Sequence, residues 1–512
     1  MKILTAQQIR EADAYTIQHE PIASIDLMER ASQAFCHWFE GRFGKHAPVM
    51  VFCGMGNNGG DGLAISRILL ERGYKVSPYV IKNRDSGSED FEKNLEQLKS
   101  LVDIKLITYS RDIPSIPEQV IVIDAIFGSG LSREPKGIFA ETIKAINDSA
   151  AIKVAVDIAS GLSSDHPSTG AIVRPDFTLT FQVPKLAFMM PENAPYTGDL
   201  VIADIGLSQD FIDHLNTPYH FADHPMAAAM VKRRQKFAHK GNFGKVLLVS
   251  GSWGKVGATV LCARACLRAG AGLLTVHVPA SAYNILQTAV PEAMVETDVK
   301  QKKISNIKNV AAYDAIGVGP GLGTDEVTKQ MLLSLLKKVK SPMVLDADAL
   351  NILSKDKKML KYIPHGSILT PHPKEFERLV GKSKDSFERL QIQQEFARKY
   401  HCIVIVKGAY TTICTPEGQV YFNSTGNPGM ATGGSGDVLT GILASLLGQG
   451  YDPIKAAVLG TYLHGLAGDK AADSLGEEAM LPSDLIDHIG EAYKTLKAQS
   501  CGSVQTISSW KS

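Results

Sequence analysis

The 512-residue sequence lacks a strong imbalance of charge, a long apolar run and any paired cysteine motif. Its formal net charge of +1 gives no sign of the basic surface that nucleic-acid-binding proteins present. No apolar run approaches the roughly 20 residues that a membrane-spanning helix needs. The seven cysteines are scattered without a CxxC spacing, which favours a reducing compartment over a disulfide framework. With a polar N-terminal segment and no signal peptide, the chain is expected to be cytoplasmic, without nucleic-acid or membrane partners.

Two successive halves of the chain alternate short apolar strands with helical stretches, which predicts parallel sheets covered on both faces. The fold class is therefore α/β, with two domains. In the first half we predict a helix at Leu63–Arg72 and strands at Val49–Cys53, Lys75–Ile81, Val120–Asp124, Val154–Asp157, Thr178–Phe181 and Leu200–Asp204. In the second half we predict a hairpin over TTICTPEGQVYFN and strands at Val246–Ser250, Leu274–Val278, Ala315–Val318, Met343–Asp346, Ser367–Leu369 and Ile403–Val406.

The segment between the halves, Leu207 to Lys240, is polar and is predicted to contain no strand. It includes the densest basic run, KRRQK (residues 232–236), which we interpret as a solvated linker helix in preference to a binding patch. These features predict a first domain over residues 1–222 and a second over residues 223–502. The Ser-rich residues 503–512 are predicted to be a disordered tail.

A stretch with six glycines, GNPGMATGGSGDVLTG, runs from Gly426 to Gly441 and leads into an apolar helical pattern. Glycine weakens a helix, so a dense cluster marks a place where the backbone itself approaches a ligand. A helix N-terminus offers free N–H groups and partial positive charge, which suit a phosphate group. Asp437 falls at the predicted helix start and could take a proton from an attacking hydroxyl. The stretch predicts a phosphoryl-transfer site.

Other segments of the second half point to the same edge of the predicted sheet. The glycine loops SGSWGKVGA and GPGLG follow strands, and LDADALN ends a strand in Asp346. Lys407 begins KGAYT at another strand end, and His372 lies between two prolines in LTPHPKEF. Ligands bind beyond the carboxyl ends of parallel strands, and a lysine beside backbone amides suits a nucleotide's phosphates.

Polar side chains also follow three predicted strands of the first half. Asn58 lies in the turn GMGNNGGDG, Asp124 ends a strand, and Asp157 and Ser160 follow another. These strand ends meet at one edge of an open sheet, so their side chains are expected to share one crevice. Their oxygen-only donor set suits a hard cation and not zinc. Lys185, after the fifth strand, is expected either to face the same crevice or to lie on the surface.

Together, in this order, the strings GNNGGDG, DIASGL, SGSWGKVGA, GPGLG, LDADALN, LTPHPKEF and NPGMATGGSGDVLTG resemble the motifs of bifunctional NAD(P)H-hydrate repair enzymes. The resemblance extends over nearly the whole chain. It implies an N-terminal NAD(P)HX epimerase with a Rossmann-like parallel-sheet sandwich, fused to a C-terminal ADP-dependent NAD(P)HX dehydratase with a ribokinase-like α/β domain. NADHX and NADPHX are the hydrated forms of NADH and NADPH.

The resemblance also implies roles for individual residues. The epimerase would bind NADPHX through Asn57, Asn58, Gly59, Gly60, Asp61, Gly128, Ser129, Gly130, Leu131, Ser132, Arg133, Glu134 and Asp157. It would bind potassium through Asn58, Asp124 and Ser160. The dehydratase would bind the hydrate through Ala258, Gly321, His372 and Asp437, and ADP or AMP through Lys407, Gly408, Ala409, Tyr410, Thr411 and Gly436. Asp437 and Asp157 are the expected catalytic residues, and Asp124 is the competing base of the epimerase.

The implied activity is repair: the epimerase interconverts the R and S hydrates, and the dehydratase converts the S hydrate to NAD(P)H with ADP, giving AMP and phosphate. ADP follows from the resemblance, and the residues leave ATP open as the donor. Magnesium is expected with the transferring phosphates, and a homo-oligomer is expected from the family. Two alternatives stay open at this point: a kinase of a small alcohol, and an N-terminal half that binds without catalysing.

Overall fold

The computed structural model describes residues 1–131 and 133–498. The chain forms two compact units, one of Lys2–Thr217 and one of Met1 with the chain from Pro218 onward. Both are α/β units built on largely parallel sheets, which confirms the predicted fold class. The predicted tail, residues 503–512, lies outside the described residues.

The N-terminal unit contains a seven-stranded parallel sheet with the order β3-β2-β1-β4-β5-β6-β7. Its strands are β1 (Val49–Cys53), β2 (Val76–Ile81), β3 (Lys105–Ile107), β4 (Ile121–Ala125), β5 (Ile152–Val156), β6 (Phe177–Phe181) and β7 (Asp199–Ala203). Its helices are α1 (Ala6–His19), α2 (Ser24–Arg42), α3 (Asn57–Glu71), α4 (Glu89–Lys99), α5 (Ile138–Asp148) and α6 (Gln209–His214).

The strand order of this sheet places the N-terminal crevice. The chain moves outward from β1 through β2 to β3, then returns to the other side of β1 with β4. Cys53 at the end of β1 pairs with Ala125 at the end of β4, so the loops after these strands start side by side. Such a reversal opens a crevice at the carboxyl ends of the strands. The glycine-rich turn and the loop that starts at Ile126 both enter it.

The C-terminal unit contains a ten-stranded sheet with the order β11-β10-β9-β12-β13-β14-β15-β16-β17-β8. Its strands are β8 (Tyr219–Ala222), β9 (Lys245–Val249), β10 (Leu273–Val278), β11 (Met294–Thr297), β12 (Ala315–Val318), β13 (Met343–Leu345), β14 (Ile368–Leu369), β15 (Ile403–Val406), β16 (Thr412–Cys414) and β17 (Val420–Asn423). The sheet is parallel from β11 to β15, and β15, β16 and β17 are antiparallel.

The helices of this unit are α7 (His224–Met230), α8 (Val256–Arg268), α9 (Tyr283–Ala289), α10 (Glu326–Lys338), α11 (Ala347–Lys355), α12 (Pro373–Val380), α13 (Ser386–Tyr400), α14 (Ser435–Gly448), α15 (Pro453–Leu475) and α16 (Pro482–Lys497). Helix α14 is buried from Val438 to Gly448, and it packs against α8 and β12. Its Gly441 has no room for a side chain, since a Cβ there would lie 2.2 Å from the Cys262 carbonyl oxygen. This packing fixes where α14 begins.

Four details of the predicted elements were wrong. The linker contains strand β8, which gains its partner from β17 and has no long apolar run of its own. The edge strands β3 and β11 were missed because they are short and partly exposed. Helix α3 begins at Asn57, six residues before the predicted start, because its glycines sit inside the first turns. The basic run at residues 232–236 is exposed but is not helical.

Candidate active sites

The N-terminal unit has a cavity of about 710 Å³ at the carboxyl ends of its strands. Nine of the described residues predicted to bind the hydrate line it: Asn57, Asn58, Asp61, Gly128, Ser129, Gly130, Leu131, Arg133 and Asp157. The structure therefore brings the glycine-rich turn, the loop after β4 and the end of β5 to one space. A cavity of this volume is in the usual range for a small-molecule site.

Asp157 is held rigidly at the wall of this cavity. Its Oδ1 atom accepts hydrogen bonds from Thr180 Oγ1 (3.3 Å) and the Phe181 N–H (3.2 Å), and it forms an ion pair with Lys185 Nζ. Its backbone has a φ of 66°, a left-handed conformation that is costly for a residue with a side chain. Lys185 is fully buried, so the expectation that it lies on the surface is wrong; it reaches the cavity wall only through its ion pair with Asp157.

Asp124 and Ser160 form a buried pair behind the cavity wall. The Ser160 N–H donates to Asp124 Oδ2 (2.7 Å), and Ser160 Oγ donates to Asp124 Oδ1 (2.5 Å). Burial raises the pKa of Asp124 to about 6, although the hydrogen bonds from Ser160 lower it. Asp124 is fully buried and is not among the described residues that line the cavity, so the geometry favours Asp157 over Asp124 as the group that meets a substrate.

The third expected potassium ligand, Asn58, lies close to this pair. The Phe127 N–H donates to Ser160 Oγ (2.8 Å), and a Cβ built on the next residue, Gly128, would lie 3.3 Å from Asn58 Oδ1. Asn58 is buried, and its Nδ2 atom has no hydrogen-bond partner. The carboxylate, hydroxyl and amide oxygens of these three residues fit a hard cation. Within the described ranges, no three His, Cys, Asp or Glu side chains are grouped as a metal site.

Other predicted hydrate-binding residues lie elsewhere. Gly59 and Gly60 are buried inside α3, where a Cβ would lie 1.8 Å from the Gly54 carbonyl oxygen or 2.9 Å from Met28 Sδ. Their lack of side chains therefore serves the packing of α3. Glu134 lies against Gly170 and is not among the described residues that line the cavity, while Ser132 lies outside the described residues.

In the C-terminal unit, the glycine-rich stretch forms the N-terminus of α14. Gly434 caps the helix with a φ of 109°, and Asp437 lies in the first turn. Burial is the main cause that raises the pKa of Asp437 to about 7, the negative charge of Asp346 adds to it, and Lys407 opposes it. A carboxyl group with a pKa near neutrality can accept and release a proton under physiological conditions.

Asp346 connects three elements around Asp437. It is buried at the end of β13, where Oδ2 accepts from Thr440 Oγ1 of α14 (2.8 Å) and Oδ1 lies 3.2 Å from Lys407 Nζ. A Cβ at Gly436 would lie 3.3 Å from the same Lys407 Nζ. The ammonium group of Lys407 therefore lies at the N-terminus of α14, where anions are favoured. In the sequence Asp346 is recognisable only as the end of a strand, and these contacts could not be predicted from it.

The two glycine loops of this unit lie against each other. Gly321 has a φ of 61°, and a Cβ there would lie 2.6 Å from the Lys255 carbonyl oxygen and 3.4 Å from Ala258 Cβ. Ser252 Oγ donates to the Gly321 carbonyl oxygen (2.7 Å). Asp348 Oδ2 accepts from the Gly323 N–H (2.8 Å). Ala258 and Gly321, predicted to contact the hydrate, are thus neighbours.

His372 is the N-cap of α12 in a capping box. The ring Nδ1 of His372 accepts from the backbone N–H of Glu375 (3.4 Å), and the backbone N–H of His372 donates to Glu375 Oε2 (2.9 Å). The ring is partly exposed, and burial lowers its pKa. The Pro371 carbonyl oxygen accepts from the Lys407 N–H (3.1 Å), which brings the His372 turn beside the predicted nucleotide loop. The Nε2 atom of the ring lies 3.5 Å from Glu375 Oε2.

The predicted nucleotide loop is a tight turn after β15. Thr411 Oγ1 closes it by accepting from the Gly408 N–H (3.2 Å). Gly408 and Ala409 are exposed at its tip. His464 of α15 was not predicted from the sequence. Its Nε2 lies 2.9 Å from the Ser435 carbonyl oxygen at the start of α14, and burial lowers the pKa of His464 to about 4. No sequence motif marks His464, because its contact with Ser435 depends on the packing of α15.

Comparisons with known proteins cover both units. Family models match residues 24–187, described as YjeF-related protein N-terminus, and residues 246–491, described as NAD(P)H-hydrate dehydratase. A solved structure described as ADP/ATP-dependent NAD(P)H-hydrate dehydratase from Bacillus subtilis, co-crystallised with ATP and Mg²⁺, is 29% identical. It covers 54% of this chain and 98% of its own, with a TM-score of 0.49. Within the described ranges, no helix is both long and apolar enough to cross a bilayer.

Two curated relatives match along nearly their whole length. Both are bifunctional NAD(P)H-hydrate repair enzymes: one from Moorella thermoacetica is 38% identical over 99% of this chain and 98% of its own, and one from Thermofilum pendens is 32% identical over 97% of each. Identity of this extent covers both units and confirms the predicted family. The chain belongs to the bifunctional NAD(P)H-hydrate repair enzymes.

Proposed function

We propose that the C-terminal unit dehydrates the S hydrates of NADH and NADPH with ADP as the phosphoryl donor. The observation that carries this proposal is Asp437: a carboxyl group with a pKa raised to about 7, in the first turn of α14, near the ammonium group of Lys407. Hydroxide is a poor leaving group, so the hydroxyl must first become a phosphate ester. The site combines a base with donors for a phosphoryl group, which this chemistry requires.

In the proposed reaction, Asp437 takes the proton of the ring hydroxyl while the hydroxyl oxygen attacks the terminal phosphorus of ADP. The bond to the bridging oxygen breaks, and AMP leaves. Backbone N–H groups of residues 433–436 and the charge of Lys407 stabilise the transferred group. The lone pair of the ring nitrogen then expels phosphate, and loss of a ring proton restores the reduced nicotinamide.

We place the adenine nucleotide at the turn of residues 407–411. The tip of this turn is exposed, and the ammonium group of Lys407 at its start lies beside the N-terminus of α14. Magnesium accompanies transferring phosphates in most such enzymes, and we propose that it enters here with ADP. The neighbouring Ala258, Gly321 and His372 contact the hydrate in this proposal.

We propose that the cavity of the N-terminal unit interconverts the R and S hydrates, with Asp157 exchanging a proton near the hydrated carbon. Asn58, Asp124 and Ser160 hold potassium in this proposal. When bound, the ion supplies a fixed positive charge beside the Asp124 carboxyl. Ser160 links Asp124 to Phe127, and Gly128 lies against Asn58, so the proposed ligands border the loop that forms one wall of the cavity.

The cellular setting is also a proposal. Six described cysteines are free and buried, which supports a reducing compartment and hence the cytoplasm. A homo-oligomer and the domain bounds 1–222 and 223–502 stay predictions. ADP is preferred over ATP in this proposal because of family membership.

Two variants separate the proposed sites. Asp437→Asn is expected to lower ADP-dependent dehydration of the S hydrate by about 10²–10⁴-fold, because it removes the base, while ADP still binds. Asp157→Asn is the matched control, since it changes a carboxyl of the other unit and should leave this rate unchanged. The readouts are the absorbance of reduced nicotinamide and ADP binding by calorimetry. Near-normal turnover of Asp437→Asn would refute the assigned role.

A further inference from the structure

Helix α1 forms one wall of the epimerase cavity. Five of its residues, at helical spacing, line that cavity: Ile9, Arg10, Asp13, Ala14 and Ile17. The N-terminal family model matches only residues 24–187, so this helix lies outside the matched segment.

The wall contributed by α1 carries one carboxyl group, Asp13. Within residues 1–131 and 133–498 its carboxyl has no hydrogen bond or ion pair. Burial is the main cause that raises the pKa of Asp13 to about 6, the negative charge of Asp157 adds to it, and Lys185 opposes it. Asp61, on the same cavity, also has a raised pKa, chiefly through burial and through Asp157 and Asp13. The other charged groups on the cavity are Arg10, Arg84, Asp90 and Arg133.

The carboxyl group of Asp157 has the opposite surroundings. Three donors, one of them the ammonium group of Lys185, converge on its Oδ1 atom, while Oδ2 accepts from no described residue. An ion pair and several donors suit a carboxylate, whereas a half-buried carboxyl without a described partner suits the acid form. Pairs of titratable groups in such contrasting surroundings mark acid and base partners.

We propose that Asp13 is a second catalytic residue of the epimerase and gives a proton to the hydroxyl that leaves the hydrated carbon. The C–O bond breaks, water departs, and the ring nitrogen's lone pair forms a C=N⁺ bond. Water then adds to the other face, the pair of electrons returns to nitrogen, and Asp157 takes the proton that this water loses. One water leaves and one enters, so atoms and charge balance.

The protonation states explain how both directions use one site. Conversion of R to S leaves Asp13 charged and Asp157 protonated, which is the starting state for conversion of S to R with the roles exchanged. Transfer of one proton between the two carboxyls, directly or through cavity water, resets the site. Asp61 is the competing acid, because it faces the same cavity.

The test is the rate of R-to-S conversion by the full-length protein, with pure R hydrate, potassium and no ADP. Asp13→Asn is expected to lower this rate at least 100-fold, within the range of a lost acid–base group. Glu11→Gln is the matched control, because Glu11 is exposed on the same helix. It should convert R to S at the wild-type rate.

A pH profile separates a catalytic from a structural role. The wild-type R-to-S rate should fall as pH rises through the pKa of Asp13, because the acid must be protonated, and the residual rate of Asp13→Asn should lose this dependence. Asp13→Glu should restore part of the rate and move the profile to higher pH. A wild-type rate for Asp13→Asn, or a profile that neither variant changes, would overturn the proposal.

This inference rests on the proposed epimerase function, and the two fail differently. A wild-type protein that does not convert R to S refutes the function itself. A wild-type protein that converts R to S, while Asp13→Asn converts it equally well, refutes only the role of Asp13. Loss of conversion in Asp61→Asn with normal conversion in Asp13→Asn would assign the acid to Asp61 and overturn the proposal.

Discussion

At the residue scale, burial decides which carboxyl groups can exchange protons near neutral pH. Asp437 reaches a pKa of about 7 mainly because its charged form is poorly solvated, and the nearby charge of Asp346 adds to this. Lys407 opposes the shift but does not cancel it. The same residue type on the protein surface would stay ionised and would be a weaker base.

The raised pKa of Asp437 predicts the pH dependence of the dehydratase. Because the base must be deprotonated, kcat/KM for the S hydrate should rise as pH rises through about 7. The residual activity of Asp437→Asn should show no such rise. A profile measured from pH 5.5 to 8.5 tests this, and a wild-type rate that is flat across this range would contradict the base role.

The same shift has a consequence for stability. The folded-state pKa lies above the unfolded value of 3.8, so the stability contribution of protonated Asp437 is full below about 3.8 and is lost as pH rises from there to about 7. The Tm advantage of Asp437→Asn over the wild type should therefore be larger at pH 8 than at pH 5. An equal Tm difference at both pH values would mean that the shift is absent.

Residues that carry a motif could be predicted from the sequence, whereas residues that act through packing could not. Asp437 and Asp157 follow glycine-rich or strand-end patterns. Asp13 and His464 stand in unremarkable helical sequence, and only the fold brings Asp13 to the cavity and His464 beneath α14. Gly59 and Gly60 show the converse, since their motif position suggests a ligand contact, but Gly59 packs against Gly54 just after β1 and Gly60 packs against Met28 of α2.

At the scale of elements, the N-terminus of α14 depends on one left-handed residue. Gly434 has a φ of 109°, and a Cβ there would lie 2.7 Å from Leu261 Cδ1 and 3.1 Å from Pro482 Cγ. The adjacent Gly433 is exposed, and a Cβ there would meet nothing within 4 Å. Of these two neighbouring glycines, Gly434 is required by the backbone conformation and by the packing, whereas a side chain would fit at Gly433.

This difference predicts unequal effects of alanine. Gly434→Ala should lower the free energy of unfolding by about 1–2 kcal/mol or more, from the left-handed backbone alone, and should also lower dehydratase activity by displacing the loop. Gly433→Ala should change stability little. Urea denaturation of both variants measures this, and equal stabilities would show that the loop does not need the left-handed residue.

Long apolar strands in the middle of each sheet were predicted within one or two residues, because burial on both faces leaves a continuous apolar run. Strands β3, β8 and β11 were not predicted, because they are short and lie at sheet edges. There the hydrogen bonds to one neighbouring strand define the strand, and the sequence need not contain a continuous apolar run. The start of α3 was misplaced because glycines that allow close packing look like a turn in a sequence.

At the scale of the whole molecule, the order of motifs along the chain identified two α/β units, and the relatives match across both. The chemistry explains why the two activities occur together. A dehydratase that acts only on the S hydrate leaves the R hydrate unrepaired unless an epimerase converts R to S. In our proposal each unit has its own site at the carboxyl ends of its strands, with Asp157 in one and Asp437 in the other.

The most direct test of this account follows the recovery of reduced nicotinamide from a mixture of R and S hydrated NADH, with the purified protein, ADP and potassium. The account predicts full recovery, faster than spontaneous epimerisation allows, and recovery that stops at the S fraction for Asp157→Asn. Wild-type recovery that stops at the S fraction would contradict the epimerase, and no recovery with ADP or ATP would contradict the dehydratase.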